Sequence, residues 1–142
     1  MATLLSKPLP QETILVVDDE PDVLSMIADL LRTTGYTVWS TGDPREALRL
    51  ARTRAEPLHL LLTDVVMPRM SGRLLADELR SIRPDVRVLF MSAYSVEQVA
   101  DYRIRLAPNE PFLTKPFSIA ELHNTVRAAL AYSSPTNRLS RD

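Results

Sequence analysis

The chain contains no cysteine, which removes disulfides and thiolate metal centres from consideration and suits a reducing cytosol. It also lacks any stretch approaching the roughly 20 apolar residues that crossing a bilayer requires. Its first eleven residues carry one lysine and three scattered leucines, interrupted by Pro8 and Pro10, too short and broken for the apolar centre of a signal peptide. A formal net charge of −1 provides no whole-molecule attraction for nucleic acid or anionic lipid. No internal repeat and no second domain stand out. What remains is 142 residues, 45% of them apolar, enough for one domain with a real core and a cytoplasmic setting.

Apolar patterning alternates strand and helix five times. Strands are expected at Thr13–Asp18, Tyr36–Ser40, His59–Asp64, Val86–Met91 and about Phe112–Thr114. The first helix shows Val23, Leu24, Ile27, Leu30 and Leu31 at helical spacing, and Gly35 ends it. Asp43-Pro44-Arg45-Glu46 opens the second, with an N-cap carboxylate, proline at the first helical position and Glu46 at the third. The third follows Ser71-Gly72 and buries Leu75, Leu79 and Ile82, with Pro84 beyond its end. Ser95-Val96-Glu97-Gln98 has a capping pattern, yet only Val96, Val99 and Ala100 support a helix behind it before Pro108 stops it. Ser118-Ile119-Ala120-Glu121 caps the last helix, striped by Ile119, Leu122, Val126, Ala129 and Leu130. Residues 1–11 are expected to be a flexible lead and residues 132–142 a disordered tail or cut linker.

Such strict alternation implies parallel strands joined by right-handed crossovers, with helices on both faces of a five-stranded doubly wound sheet. Ligands of open α/β sheets bind at the carboxyl ends of the strands. Three apolar runs end there on charge: Val16-Val17-Asp18-Asp19-Glu20, Leu62-Thr63-Asp64 and Phe112-Leu113-Thr114-Lys115. Two carboxylates about 5 Å apart repel by roughly 3 kcal/mol at an effective dielectric near 20, so such a cluster calls for a cation. All-oxygen donors of this kind suit Mg²⁺. Lys115 adds a compact positive charge for a carboxylate or phosphate oxygen, and Ser92 a hydroxyl able to donate to an anionic oxygen.

Over residues 12–131 the chain resembles the receiver domain of two-component response regulators. The resemblance rests on Val16-Val17-Asp18-Asp19-Glu20, on Leu62-Thr63-Asp64-Val65-Val66-Met67-Pro68-Arg69-Met70-Ser71-Gly72, on Met91-Ser92-Ala93 and on Lys115-Pro116-Phe117, each after its expected strand. It implies a flavodoxin-like (βα)5 fold with strand order 2-1-3-4-5. It further implies that Asp64 accepts a phosphoryl group from the phosphohistidine of a histidine kinase or histidine phosphotransfer domain. Asp18, Asp19, Asp64 and the backbone carbonyl of Val66 would hold Mg²⁺, with Lys115 and Ser92 on the phosphoryl group. Phosphorylation would draw Ser92 inward and let Phe112 rotate, altering the surface of the fourth helix, fifth strand and fifth helix for an output protein. The domain would catalyse only its own phosphorylation and slow dephosphorylation. Direct contact with nucleic acid or membrane is not implied, apart from membership in a membrane-bound hybrid kinase.

Two positions bear on lifetime. Val66 and Tyr94 stand two residues after Asp64 and Ser92, where many relatives have polar groups; an apolar valine and a bulky tyrosine should position water poorly and slow hydrolysis. Departures from the family lie in Leu106-Ala107-Pro108-Asn109-Glu110-Pro111, which lacks the usual Gly-Ala turn, and in the weak fourth helix. The usual dimerisation face is therefore not assumed, and the segment is more like receivers of hybrid sensor kinases or stand-alone receivers.

Plainer readings compete. Asp18-Asp19 could be an N-cap pair, Lys115 a solvated charge, His59 and His123 strand-edge and helix-surface residues, Trp39 core, and Tyr94 a loop aromatic. Two other functions compete as well. A haloacid-dehalogenase-type phosphatase would need Asp-x-Asp where this chain has an adjacent pair and Glu20. A degenerate receiver acting as a phosphorylation-independent binding module would normally lack a key residue.

Overall fold

A computed structural model describes residues 12–107 and 110–131; the expectations for residues 1–11, for the tail and for Pro108 as a helix stop lie outside them. The order is β1 (Thr13–Val17), α1 (Pro21–Thr34), β2 (Thr37–Thr41), α2 (Pro44–Thr53), β3 (Leu60–Asp64), α3 (Gly72–Ile82), β4 (Arg87–Ser92), α4 (Val96–Ala100), β5 (Phe112–Thr114) and α5 (Ile119–Ala131). All strand pairings are parallel, in the order β2-β1-β3-β4-β5. This is the doubly wound sheet that the alternation implies, in the flavodoxin-like order that the resemblance implies.

Successive side chains of a strand point to opposite faces, and each face here has its own core. Leu15, Val17, Leu61, Val88 and Phe90 meet Ala47 and Leu48 of α2 and Leu75 and Leu79 of α3. Ile14, Val16, Leu60, Leu62, Leu89 and Met91 meet Ile27 and Leu31 of α1 and Leu122 and Val126 of α5. Burial on both sides explains why the central strands read as unbroken apolar runs.

Strand limits shift by one residue from the sequence reading. The β2 ladder begins at Thr37, and β4 spans Arg87–Ser92 rather than Val86–Met91, because a strand is bounded by its hydrogen bonds and not by its apolar residues.

Most caps form as expected. Ser71 accepts from the Leu74 N–H, while Ser95 with Gln98 and Ser118 with Glu121 form reciprocal boxes. Gly35, at φ 118°, closes α1 through N–H bonds to the Arg32 and Leu31 carbonyls. Asp43 accepts from the Arg45 N–H, but Glu46 turns to Arg49 and the Asp43 N–H is taken by the Thr41 hydroxyl instead. The N-cap of α1 is Glu20, without a side-chain bond, so neither Asp18 nor Asp19 serves as that cap.

The α2–α3 flank is bolted by one residue. The Arg83 guanidinium donates to the carbonyls of Ala51 (3.0 Å), Arg54 (2.5 Å) and Glu56 (2.8 Å), satisfying groups left open where α2 ends. Arg54 in turn lies 5.0 Å over the buried Trp39 ring. The opposite flank carries a much shorter helix, α4, of only five residues. Beyond it Arg103 adopts φ 60°, the left-handed region. Ile104 and Leu106 then pack back, half-buried, against the core that holds Val99 and Phe90.

His59 and His123 do local structural work. Nδ1 of His59 accepts from the Thr13 N–H at 2.9 Å, and Nε2 of His123 lies 2.7 Å from the Thr34 hydroxyl.

Candidate functional site

The charged residues singled out in the sequence meet at the carboxyl ends of β1, β3 and β5. Asp18 follows β1 and is fully buried. Its Oδ1 accepts from the Glu20 N–H at 2.9 Å and its Oδ2 from Lys115 Nζ at 2.7 Å. Asp64 closes β3, with its side chain 10% exposed and its Oδ2 3.2 Å from the same Nζ. Asp19 points to solvent, yet carboxylate oxygens of Asp18, Asp19 and Asp64 all lie within 4.8 Å of one another.

Three carboxylates thus face one ammonium. The Asp64 carboxyl is raised from 3.8 to about 6, the net of burial pushing it up, Lys115 pulling it down, and Asp18 and Asp19 pushing it up. At neutral pH Asp64 is mainly ionised, and it is a stronger base than an ordinary carboxylate. Burial acts to lower the Lys115 ammonium, but the hydrogen bond it donates to Asp18 and the charges of Asp64 and Asp18 outweigh it, so its pKa rises and it stays charged. The hard, anionic oxygen donors fit a magnesium ion, which would relieve repulsion that one lysine only partly offsets.

Neighbouring backbone sets this geometry. Asp64 pairs in register with Met91, so Ser92 lies one residue beyond it on β4. Ser92 is buried; its Oγ accepts from the Tyr94 N–H at 2.9 Å, and its carbonyl accepts from the Lys115 N–H at 2.9 Å. That second bond holds Lys115 at the β4 edge, ahead of a cis bond to Pro116. Val66 is half-buried after Asp64, whereas Tyr94 is exposed, with its ring 5.4 Å from that of Tyr102. Phe112, half-buried on β5, packs against the core that holds Phe90, its register partner on β4.

Three contributors were not singled out by the sequence reading. Glu20 Oε1 reaches to 3.5 Å from Lys115 Nζ, and the contiguous Asp-Asp-Glu run is the signal that could have found it. Gly72 opens α3 with its Cα against the site: a Cβ there would lie 2.1 Å from the Asp64 carbonyl oxygen, while its N–H donates to the Val65 carbonyl at 2.8 Å. Its signal was a glycine at a helix start in a chain with three glycines. Arg73 bridges Asp77 and Glu110, both at 2.8 Å, with its guanidinium 5.3 Å over the Phe90 ring; nothing local in the sequence announces that pairing.

Residues 14–127 match the response regulator receiver domain. The chain is 36% identical over 121 residues to the sensor kinase CckA of Brucella abortus, covering 83% of this chain and 12% of that protein. It is likewise 36% identical over 126 residues to the probable transcriptional regulatory protein TcrX of Mycobacterium tuberculosis, covering 87% of this chain and 52% of that one. The crystal structure of the receiver domain from the hybrid histidine kinase CckA superposes with a TM-score of 0.69 at 35% identity, covering 83% of this chain and 98% of the other. The chain therefore belongs to the response regulator receiver domain family, the signalling domains of two-component systems. It spans about half or less of the length of these two curated relatives. Receiver domains take phosphoryl groups from histidine kinases or phosphotransfer proteins and bind Mg²⁺ in an acidic pocket. Among the described residues no helix is long and apolar enough to cross a membrane.

Proposed function

We propose that residues 12–131 form a phosphorylation-dependent switch in which Asp64 takes a phosphoryl group from the phosphohistidine of a histidine kinase or histidine phosphotransfer domain. The observation that carries this reading is the single Lys115 ammonium set 2.7 Å from Asp18 and 3.2 Å from Asp64, within the three-carboxylate cluster. An Asp64 oxygen attacks phosphorus, a P–O bond forms as the P–N bond breaks, and the departing imidazole regains a proton. Little covalent work falls to the protein, so alignment and charge neutralisation carry the catalysis.

Asp18, Asp19, Asp64 and the Val66 carbonyl would hold Mg²⁺, which when bound supplies positive charge against the anionic oxygens. Lys115 offers a second positive charge: it stands between Asp18 and Asp64 and can follow the phosphoryl oxygen as charge moves outward from Asp64. The Ser92 hydroxyl, now bound by the Tyr94 N–H, would turn to a phosphoryl oxygen. Phe112 would then shift against Phe90, and the α4-β5-α5 surface would change for an output protein. Without a hydroxyl, the Phe112 ring reports its position through packing alone. A phosphoryl group biases such an element only through better contacts in one of its two states.

The test is intact-protein mass spectrometry after incubation with Mg²⁺ and acetyl phosphate. The expected result is one added phosphoryl group on the wild type and none on Asp64→Asn. A wild type that neither gains the group nor binds beryllofluoride refutes the reading and favours a phosphorylation-independent binding module.

A further inference from the structure

β5 is the least anchored strand at the site. It has three residues, stands at the edge of the sheet and pairs with β4 alone. So short a ladder sets few hydrogen bonds against the entropy of ordering the chain. Yet β5 delivers Lys115, whose Nζ lies 2.7 Å from Asp18 and 3.2 Å from Asp64. The far end of the strand is fixed by the Lys115 N–H on the Ser92 carbonyl. The near end enters through Glu110, and there the tie is a side chain. Glu110 Oε1 accepts from Arg73 Nη1 and from the Ala107 N–H, both at 2.8 Å, and the Glu110 N–H donates to the Ala107 carbonyl at 3.1 Å.

The other half of the bridge is firmly seated. Arg73 follows Gly72, whose N–H is bound to the Val65 carbonyl and where a Cβ would collide with the Asp64 carbonyl. Its guanidinium lies 5.3 Å over the Phe90 ring, and the Phe90 N–H donates to the carbonyl of Pro111, next to Glu110. The side chains of Arg73 and Glu110 are only 22% and 11% exposed, against 72% and 43% for the Arg69–Asp43 pair. Shielded in this way, the bridge resists screening by salt and breaks at higher cost than a surface pair. The bond from Arg73 to Asp77 is of another kind, since it closes within α3, four residues along the same helix.

We infer that Arg73 and Glu110 are positioning residues: their bridge ties the entry of β5 to the start of α3 behind Asp64, and so keeps the Lys115 ammonium on the Asp18–Asp64 pair. Neither touches the reacting atoms. The bearing of this bridge on phosphoryl transfer rests on the phosphoacceptor reading; its bearing on magnesium does not. Released from the bridge, Lys115 spends less time beside the carboxylates, with two effects of opposite sign. Phosphoryl transfer loses a positive charge it uses, whereas Mg²⁺ loses a competitor for the same oxygens. A general loosening of the fold would weaken both.

The test uses Arg73→Met with Glu110→Gln, which removes both charges together, leaves neither buried without its partner, and keeps an acceptor for the Ala107 N–H. On the full chain, labelling by acetyl phosphate with Mg²⁺, followed by intact-protein mass spectrometry, should slow about tenfold. Mg²⁺ affinity in calorimetry should rise about twofold or more. In a Lys115→Met background the same two changes should leave Mg²⁺ affinity unaltered, because the charge they position is gone. Asp77→Asn, which breaks only the bond within α3, should match wild type in both measurements. Labelling that does not slow, Mg²⁺ affinity that stays or falls, a gain that persists on Lys115→Met, or an equal effect of Asp77→Asn overturns the inference. A wild type that takes no phosphoryl group refutes the phosphoacceptor reading instead, and the magnesium measurements then decide what holds Lys115.

Discussion

Removing the charge from Asp64 is expected to stabilise the metal-free protein. The buried carboxyl titrates at about 6 against an ordinary 3.8, so the folded state prefers it protonated. At about 1.36 kcal/mol per unit, the ionised form costs the fold about 3 kcal/mol. The attraction of Lys115 already opposes burial within that shift and is not counted twice. Because the folded value is raised, the stabilising contribution of the protonated group is fully present below 3.8 and is lost as pH rises through about 6. Asparagine keeps the shape of the neutral acid at every pH. Asp64→Asn should therefore exceed wild type by about 3 kcal/mol near pH 8 and match it near pH 3.5. At roughly 2–4 °C per kcal/mol for a chain of this size, the gain in Tm is about 6–12 °C. The assay is denaturation in EDTA across this pH range, followed by circular dichroism and Trp39 fluorescence, comparing the two proteins at each pH. A variant no more stable than wild type near pH 8, or equally advantaged at both ends, refutes the reasoning. Magnesium should narrow or reverse the ranking, since it binds the ionised wild type more tightly.

Lys115→Met leaves the fully buried Asp18 without its cation and should cost about 3 kcal/mol in urea denaturation near neutral pH. The same change should raise Mg²⁺ affinity in calorimetry, because a competing positive charge is gone. Gly72→Ala forces the start of α3 away from the Asp64 carbonyl, and a loss of about 2 kcal/mol or more with slowed labelling by acetyl phosphate is expected. Tyr94→Ala opens the loop beside Ser92 and should shorten the phospho-protein lifetime several-fold in time-resolved mass spectrometry. Rapid hydrolysis in the wild type that Tyr94→Ala leaves unchanged would contradict the shielding role.

The sequence revealed most where chemistry and periodicity coincided. Asp18, Asp64 and Lys115 could be placed together because each follows or ends an apolar run that forms a strand, buried on both faces for β1 and β3, and parallel topology brings such ends to one edge. Helix starts at Ser71, Ser95 and Ser118 were legible because capping is local. The pairing of Arg73 with Glu110 and the three carbonyls held by Arg83 were not, since each joins residues distant in sequence with no periodic signature. The preference of Lys115 for Asp18 over Asp64 is equally a matter of tertiary placement. Gly72 reads as part of a motif in the sequence; only the structure gives its physical reason, a backbone approach that leaves no room for a methyl group. The left-handed turn at Arg103 had no signal, because glycine and asparagine are the residues that usually mark such turns.

Arg83 gives the domain a mechanical asymmetry. By fastening the end of α2 to the end of α3, it turns that flank into a fixed abutment. Across the sheet, the β4–β5 flank is braced by a five-residue helix and by the Arg73–Glu110 bridge. If Asp64 is phosphorylated as proposed, the strain would meet a tied flank on one side and a lightly braced one on the other, and displacement would be expected on the lightly braced side. A small movement at the strand ends would thereby be rectified, its direction set by the architecture of the flanks before any partner arrives.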